Sequence, residues 1–240
     1  MQSRIIIAVL LVLFCAGKIP AQDYVYKYYT AADGLPTSEV ISLAKDEKGF
    51  LWCGTSAGVS RFDGYTFTNF SFAADGSKIG YVNCIKITPR CMLVGTTSGL
   101  FCKQQDRFIK ISNETTTPQA VNDILLTADN KLYLATASGP VKLDIDQVDI
   151  TGIKKITLPD FLIPQWKKLP PGAAKISSLI KQARDGSIYI AGYSDVYLLN
   201  NDKLDLLHSV ADLHDRILSV FPISNNRLIN SDAAGILVSL

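Results

Sequence analysis

The chain has 240 residues, with 24 Lys and Arg against 22 Asp and Glu and a formal net charge of +2. No Lys/Arg run breaks that balance, which excludes the electrostatic footprint of a nucleic-acid or anionic-membrane binder. A chain of this length can bury a sizeable core.

The first element is a targeting segment. Arg4 supplies a short basic start, Ile5 to Ala16 is an apolar run too short to span a bilayer comfortably, and Ile19-Pro20-Ala21 places a small residue before Gln22. This pattern predicts a signal peptide over 1–21, cleaved after Ala21, and export to the periplasm. A lipid anchor at Cys15 fits less well, because Phe14 stands where such sites carry a small residue. Cleavage leaves Cys53, Cys84, Cys91 and Cys102, whose spacings match no metal motif and read as buried free thiols.

Asp23 to Thr30 (DYVYKYYT) is tyrosine-rich and strand-like. It precedes any repeat, so Tyr24 to Tyr29 is a candidate to complete the last sheet and close a ring. Gly34-Leu35-Pro36 then predicts a turn with an extended exit. Val40 to Ala44 reads as a strand, Asp46 to Gly49 as a polar turn, and Phe50 to Thr55 as a second strand. Ser56-Ala57-Gly58 reads as a tight turn, Val59 to Phe62 as a third strand, Asp63-Gly64 as a two-residue hairpin turn, and Tyr65 to Phe70 as a fourth strand.

That unit repeats. The turn residue Gly58 recurs as Gly99, Gly139, Asp195 and Gly235. Six positions earlier stands a large apolar residue each time: Trp52, Leu93, Tyr133, Tyr189 and Ile229. A β-branched strand opener precedes each: Val40, Val82, Val121, Ile176 and Ile217. Four short strands in about forty residues, repeated, define an all-β propeller with five four-stranded blades over 22–240. The last blade is incomplete within its own run of chain. A lone sheet with two apolar faces can hide neither, so stacking explains the repetition. The Trp52 position is expected to wedge between neighbouring sheets.

The stretch DGLPTSEVISLAKDEKGFLWCGTSAGVSRFDGYTF resembles the two-component regulator propeller repeat. Gly34, Leu35, Pro36, Asp46, Gly49, Trp52, Gly54, Thr55, Gly58, Asp63 and Gly64 carry the likeness. It fades along the chain to Gly95, Thr96 and Gly99, then to Thr136 and Gly139. The resemblance implies the periplasmic sensor half of a membrane histidine kinase, reading a small-molecule ligand such as an oligosaccharide. It also implies a homodimer formed through the parent sensor, and membrane attachment only through C-terminal parts that this chain lacks. No kinase motif is present, so the chain is read as a truncated part of a larger propeller.

Between the third and fourth repeats the spacing lengthens, and the insert 149–174 holds Trp166 and four prolines, Pro159, Pro164, Pro170 and Pro171. Long loops on repeat scaffolds often carry function. The first strands should line a central channel, and one rim should gather Glu39, Asn83, Asn122, Asp123, Ser177 and Asp195. With Trp166 as a stacking face, these are the candidate ligand-binding residues for a sugar. No catalytic residue, metal site or cofactor is expected. His208 and His214 fall in the expected connection into the fifth repeat, with no nucleophile or metal spacing beside them. The alternatives are a propeller lyase or glycosidase, which would need an acid/base pair in the channel, and a structural remnant without function.

Overall fold

Among the described residues, runs of alternating side chains between short turns form eighteen strands in five antiparallel sheets. The computed structural model describes residues 26–111, 120–144, 177–200, 203–209, 217, 219–224, 227–231 and 236–239. The expected signal peptide 1–21 and the insert 149–174 with Trp166 lie outside these residues.

The first sheet runs in order β1 (Val40–Lys45), β2 (Leu51–Thr55), β3 (Gly58–Phe62) and β4 (Phe67–Phe70). The second follows as β5 (Val82–Ile87), β6 (Met92–Thr96), β7 (Gly99–Gln104) and β8 (Arg107–Ile111). The third shows β9 (Val121–Leu126), β10 (Lys131–Thr136) and β11 (Gly139–Asp144). The fourth has β12 (Leu179–Gln182), β13 (Ile188–Ala191), β14 (Asp195–Asn200) and β15 (Lys203–Ser209). The fifth shows β16 (Ser219–Ser224), β17 (Arg227–Ser231) and β18 (Ile236–Ser239). Each strand pairs with its sequence neighbour, and each sheet packs on the next through its inner strand: β1 on β5, β5 on β9, β9 on β12, β12 on β16.

Strand alternation decides which junction each side chain fills. In β6, Met92 and Val94 face the first sheet and share a cluster with Trp52, Val59 and Phe101. Leu93, between them in sequence, faces the third sheet with Val121, Ile124 and Leu132. Tyr133 and Ala135 meet Ile180, Ile190 and Tyr197 at the third junction, and Tyr189 and Ala191 meet Ile217 and Val220 at the fourth. The hydrophobic core is therefore a series of layers between sheets. The expectation for the large apolar slot holds: Trp52, Leu93, Tyr133 and Tyr189 are all buried.

The inner strands approach closely because the second strand of each sheet offers a hollow. A Cβ added at Gly54 would stand 2.5 Å from Cγ1 of Val82, and one at Gly95 would stand 2.8 Å from Cγ1 of Val121. At the third junction Ala135 occupies the glycine slot, and the smaller Ser177 takes the opener's place, its hydroxyl accepting from Thr136 N at 2.8 Å.

Two local expectations are corrected. Residues 26–30 form no strand and join no sheet. The Tyr29 ring instead packs edge-on against Phe62 at 4.8 Å and Phe67 at 5.6 Å, on the outer hairpin of the first sheet. A capping box then fixes the chain direction, with Thr30 N donating to the Asp33 carboxylate at 2.8 Å and Ala32 N to the Thr30 hydroxyl at 3.2 Å. These contacts hold Tyr29 against the first sheet, and Tyr24 and Val25 lie outside the described residues. The second correction is at the β3–β4 turn, whose tip is Gly64-Tyr65 and not Asp63-Gly64. The strands close on the pair Phe62↔Phe67, and Asp63 N bonds Thr66 O at 3.3 Å. The Asp63 carboxylate accepts from Tyr65 N and Thr66 N, which holds its pKa below the usual carboxylate value.

Candidate functional site

The rim residues expected to bind ligand are placed at the joints between sheets, and most of their polar atoms are engaged there. Asn83 Nδ2 donates to Val121 O at 2.9 Å, and Asn122 Nδ2 donates to Ser177 O at 2.8 Å. These two asparagines occupy the same slot in successive sheets and staple each inner strand to the next. Asp123 accepts from Ile124 N at 2.9 Å, from Ile180 N at 3.1 Å and from Lys181 Nζ at 2.5 Å. Ser42 Oγ does the corresponding work two joints earlier, accepting from Ile85 N at 3.0 Å. Ser177 is fully buried.

Asp195 opens β14, where the first three sheets place glycine, and its carboxylate accepts from Ser209 Oγ at 2.5 Å and Tyr197 OH at 3.3 Å. Burial and the neighbouring carboxylate push the Tyr197 hydroxyl's pKa up, so it remains a donor to Asp195. Glu39 is exposed on this rim. His208 stands inside β15, not in the connection after it, and its Nε2 is buried without a hydrogen-bond partner among the described residues. Trp166 and His214 lie outside the described residues.

If Asp123 is structural, replacing it with Ala strands the Ile124 and Ile180 amides and frees Lys181. The expected loss is about 1–3 kcal/mol of unfolding free energy, read by denaturant melts. Unchanged stability would return Asp123 to the list of ligand contacts.

The opposite rim holds a groove of about 400 Å³ between the first two sheets. The turns Asp46–Gly49 and Thr88–Cys91 and the end of β7 form its walls. Asp46 builds the first wall: it accepts from Phe50 N at 2.9 Å through Oδ1 and from Trp52 Nε1 at 2.8 Å through Oδ2. These bonds are the physical content of the Asp46…Gly49…Trp52 motif. The turn closes on the aspartate, and the same carboxylate satisfies the buried indole.

Trp52 in turn supports the groove's cations. Arg61 lies opposite it in the β2–β3 register, with its guanidinium 5.9 Å from the Trp52 ring and 4.8 Å from the Phe50 ring. Lys103 Nζ lies 5.3 Å from the Trp52 ring. Arg61 Nε is buried and has no hydrogen-bond partner among the described residues. A partly desolvated guanidinium held by rings and lacking an acceptor suits an incoming carboxylate or sulfate, which it can bind through two parallel N–H bonds. Lys48 and Arg90 add positive charge, while Glu47 and Asp106 stand exposed at the edge. The groove therefore suits a polar ligand with an isolated acidic group better than a polyanion. An adjoining opening of about 880 Å³ shares Arg90, Cys91, Lys103 and Asp106 with it and extends along β8.

Comparison with known proteins fits this architecture. The two component regulator propeller family model matches residues 34–57, the approach and first strand pair of the first sheet. Over 69 residues the chain is 41% identical to histidine kinase P4 of Formosa agariphila, a stretch equal to 28% of this chain and 5% of that protein. The fold is similar to the extracellular domain of the putative hybrid two component system BT3049 from B. thetaiotaomicron, with a TM-score of 0.69 and 22% identity, covering 90% of this chain and 30% of that one. It is also similar to the WD40 beta propeller domain of Doa1, with a TM-score of 0.60 and 16% identity, covering 91% of this chain and 67% of that one. The five sheets are blades of a β-propeller. The first blade carries the two component regulator propeller repeat, and the chain spans under a third of the length of the BT3049 domain it matches.

Proposed function

We propose that the chain is an extracytoplasmic ligand-recognising propeller segment of a two-component sensor. The observation that carries this reading is the regulator-propeller match over residues 34–57, supported by 41% identity over 69 residues to a histidine kinase. The ligand is a small polar molecule, an oligosaccharide with an acidic group, and it lies in the groove beside Arg61. Transmembrane and kinase functions, and pairing with a second copy, belong to a longer signalling protein. The first-blade groove is favoured over the channel rim because Asn83, Asn122, Asp123 and Ser177 already hold blade joints together.

The test is thermal melting of the chain with neutral, uronate-bearing and sulfated oligosaccharides. A ligand at 100 times its Kd adds about 2.7 kcal/mol to stability, an upward shift of several degrees in a domain of this size. The expected result is a shift with an acidic member of the panel, lost in Arg61→Gln without loss of the unliganded Tm. No shift with any member, or an equal shift with neutral sugars, contradicts the reading.

A further inference from the structure

We propose that Cys91 and Cys102 are a paired thiol site that closes to a disulfide by exchange with an external disulfide, whether or not the groove binds a sugar. Leu93 pairs with Cys102 across β6 and β7, and Cys91 lies two residues before Leu93. Side chains two apart in a strand share a face, so Cys91 and Cys102 are diagonal neighbours on one side of the hairpin. Each thiol is the largest influence on the other's ionisation, Cys102 lowering the pKa of Cys91 and Cys91 raising that of Cys102. Both pack in the cluster between the second and third blades, and all four cysteines described are free.

The two members differ in access. Cys91 is half-buried and lines both the groove and its adjoining opening. Cys102 is 1% exposed and sits behind it. This is the arrangement of an attacking thiol with a resolving thiol. The environment supports the same assignment. The neighbouring Cys102 thiol, the Thr88 hydroxyl at 3.9 Å and the Arg90 charge favour the Cys91 thiolate and lower its pKa to about 7, while Cys102 is pushed up. Lys103, Asp106 and Arg107 are the other charged groups that line the same opening. Cys84, in the same cluster, is pushed up to about 12 by burial and by the Asp123 carboxylate, and Cys53 is raised by burial. Neither is a competitive nucleophile.

In the first step the Cys91 thiolate attacks one sulfur of a small disulfide, forming a mixed disulfide and releasing one thiolate. Cys102 then loses its proton to solvent and attacks Cys91 Sγ, expelling the second thiolate. Two protein thiols are oxidised to one cystine and the external disulfide is reduced to two thiols. The product bond ties the start of β6 to the middle of β7, at the wall of the groove.

The experiment equilibrates the full chain with oxidised and reduced glutathione, quenches by alkylation, and maps peptides by mass spectrometry. The expected result is loss of two hydrogens in a peptide linking Cys91 to Cys102, with Cys53 and Cys84 alkylated. In the reduced protein, Cys91 should alkylate more than ~10-fold faster than the other three, as a thiolate-rich exposed site does. Its rate should reach half its maximum near pH 7. In Cys102→Ser, Cys91 should accumulate as a stable glutathione adduct. Should that variant fail to fold, the wild-type peptide map still decides. Four alkylated cysteines after oxidising equilibration, a link through Cys84, or a link between two chains would each overturn the proposal.

Discussion

Replacing Trp52 with Ala should lower the unfolding free energy by about 3–5 kcal/mol, the range for an aromatic side chain removed from a packed core. Trp52 is 2% exposed, lies 5.8 Å from the Phe70 ring and 6.4 Å from the Phe108 ring, and fills the first blade junction. Its loss opens a cavity and leaves the Asp46 carboxylate without its indole donor. Trp52→Phe separates the two effects, because it keeps most of the packing and should cost about 1 kcal/mol for the lost hydrogen bond beyond any packing change. Leu43, 60% exposed on β1, is the control, and its replacement by Ala should be near neutral. Denaturant unfolding with an unchanged m-value is the measurement. A Trp52→Ala protein as stable as wild type would mean that the first junction is not a core.

The second large effect is at the turn glycine. Gly58 has φ +126°, and a Cβ there would lie 2.3 Å from Phe70 O, 3.1 Å from Ser71 Cα and 3.2 Å from Phe70 C. All three atoms belong to backbone, so no side-chain rotation relieves the clash. Gly49 has a similar positive φ of +91°, but a Cβ there meets nothing within 4 Å. Gly49→Ala should therefore cost only the left-handed penalty of about 1–2 kcal/mol. Gly58→Ala adds overpacking of about 1–3 kcal/mol to a comparable penalty and should cost clearly more. Thermal melts of the two variants side by side test this, and equal losses would show that β4 does not crowd the turn.

What was legible in the sequence is what lies within one blade. The Trp52 slot, the Asp46 turn and the Gly58 turn are local in the chain, and the first three blades share the turn glycine. Thr55, Thr96 and Thr136 show why: in every copy the hydroxyl donates to the carbonyl of the turn glycine, at 2.8, 3.0 and 2.6 Å. The fourth blade lacks the threonine and the glycine together. Gly192 and Asp195 replace them and are linked by Gly192 N to Asp195 O at 2.7 Å.

What was not legible lies between blades. The joint-holding bonds of Asn83 and Asn122 have no local signal, because their carbonyl partners are 38 and 55 residues away. The Tyr29 segment carried strand propensity but no repeat partner, and aromatic packing on Phe62 and Phe67 decided its place. Arg61 was overlooked although a register argument reaches it. Three residues after each turn residue is the position opposite the large apolar slot, and Lys142 there repeats the geometry, 5.9 Å from the Tyr133 ring.

The groove beside Arg61 as the recognition surface is the central claim, and amide hydrogen exchange with and without a bound acidic oligosaccharide tests it most directly. Exchange should slow at residues 46–50, 88–91 and 104–107, the turns that wall the groove and its opening. Slowed exchange at the opposite-rim turns, residues 56–57, 97–98 and 137–138, with the groove turns unchanged, would contradict it.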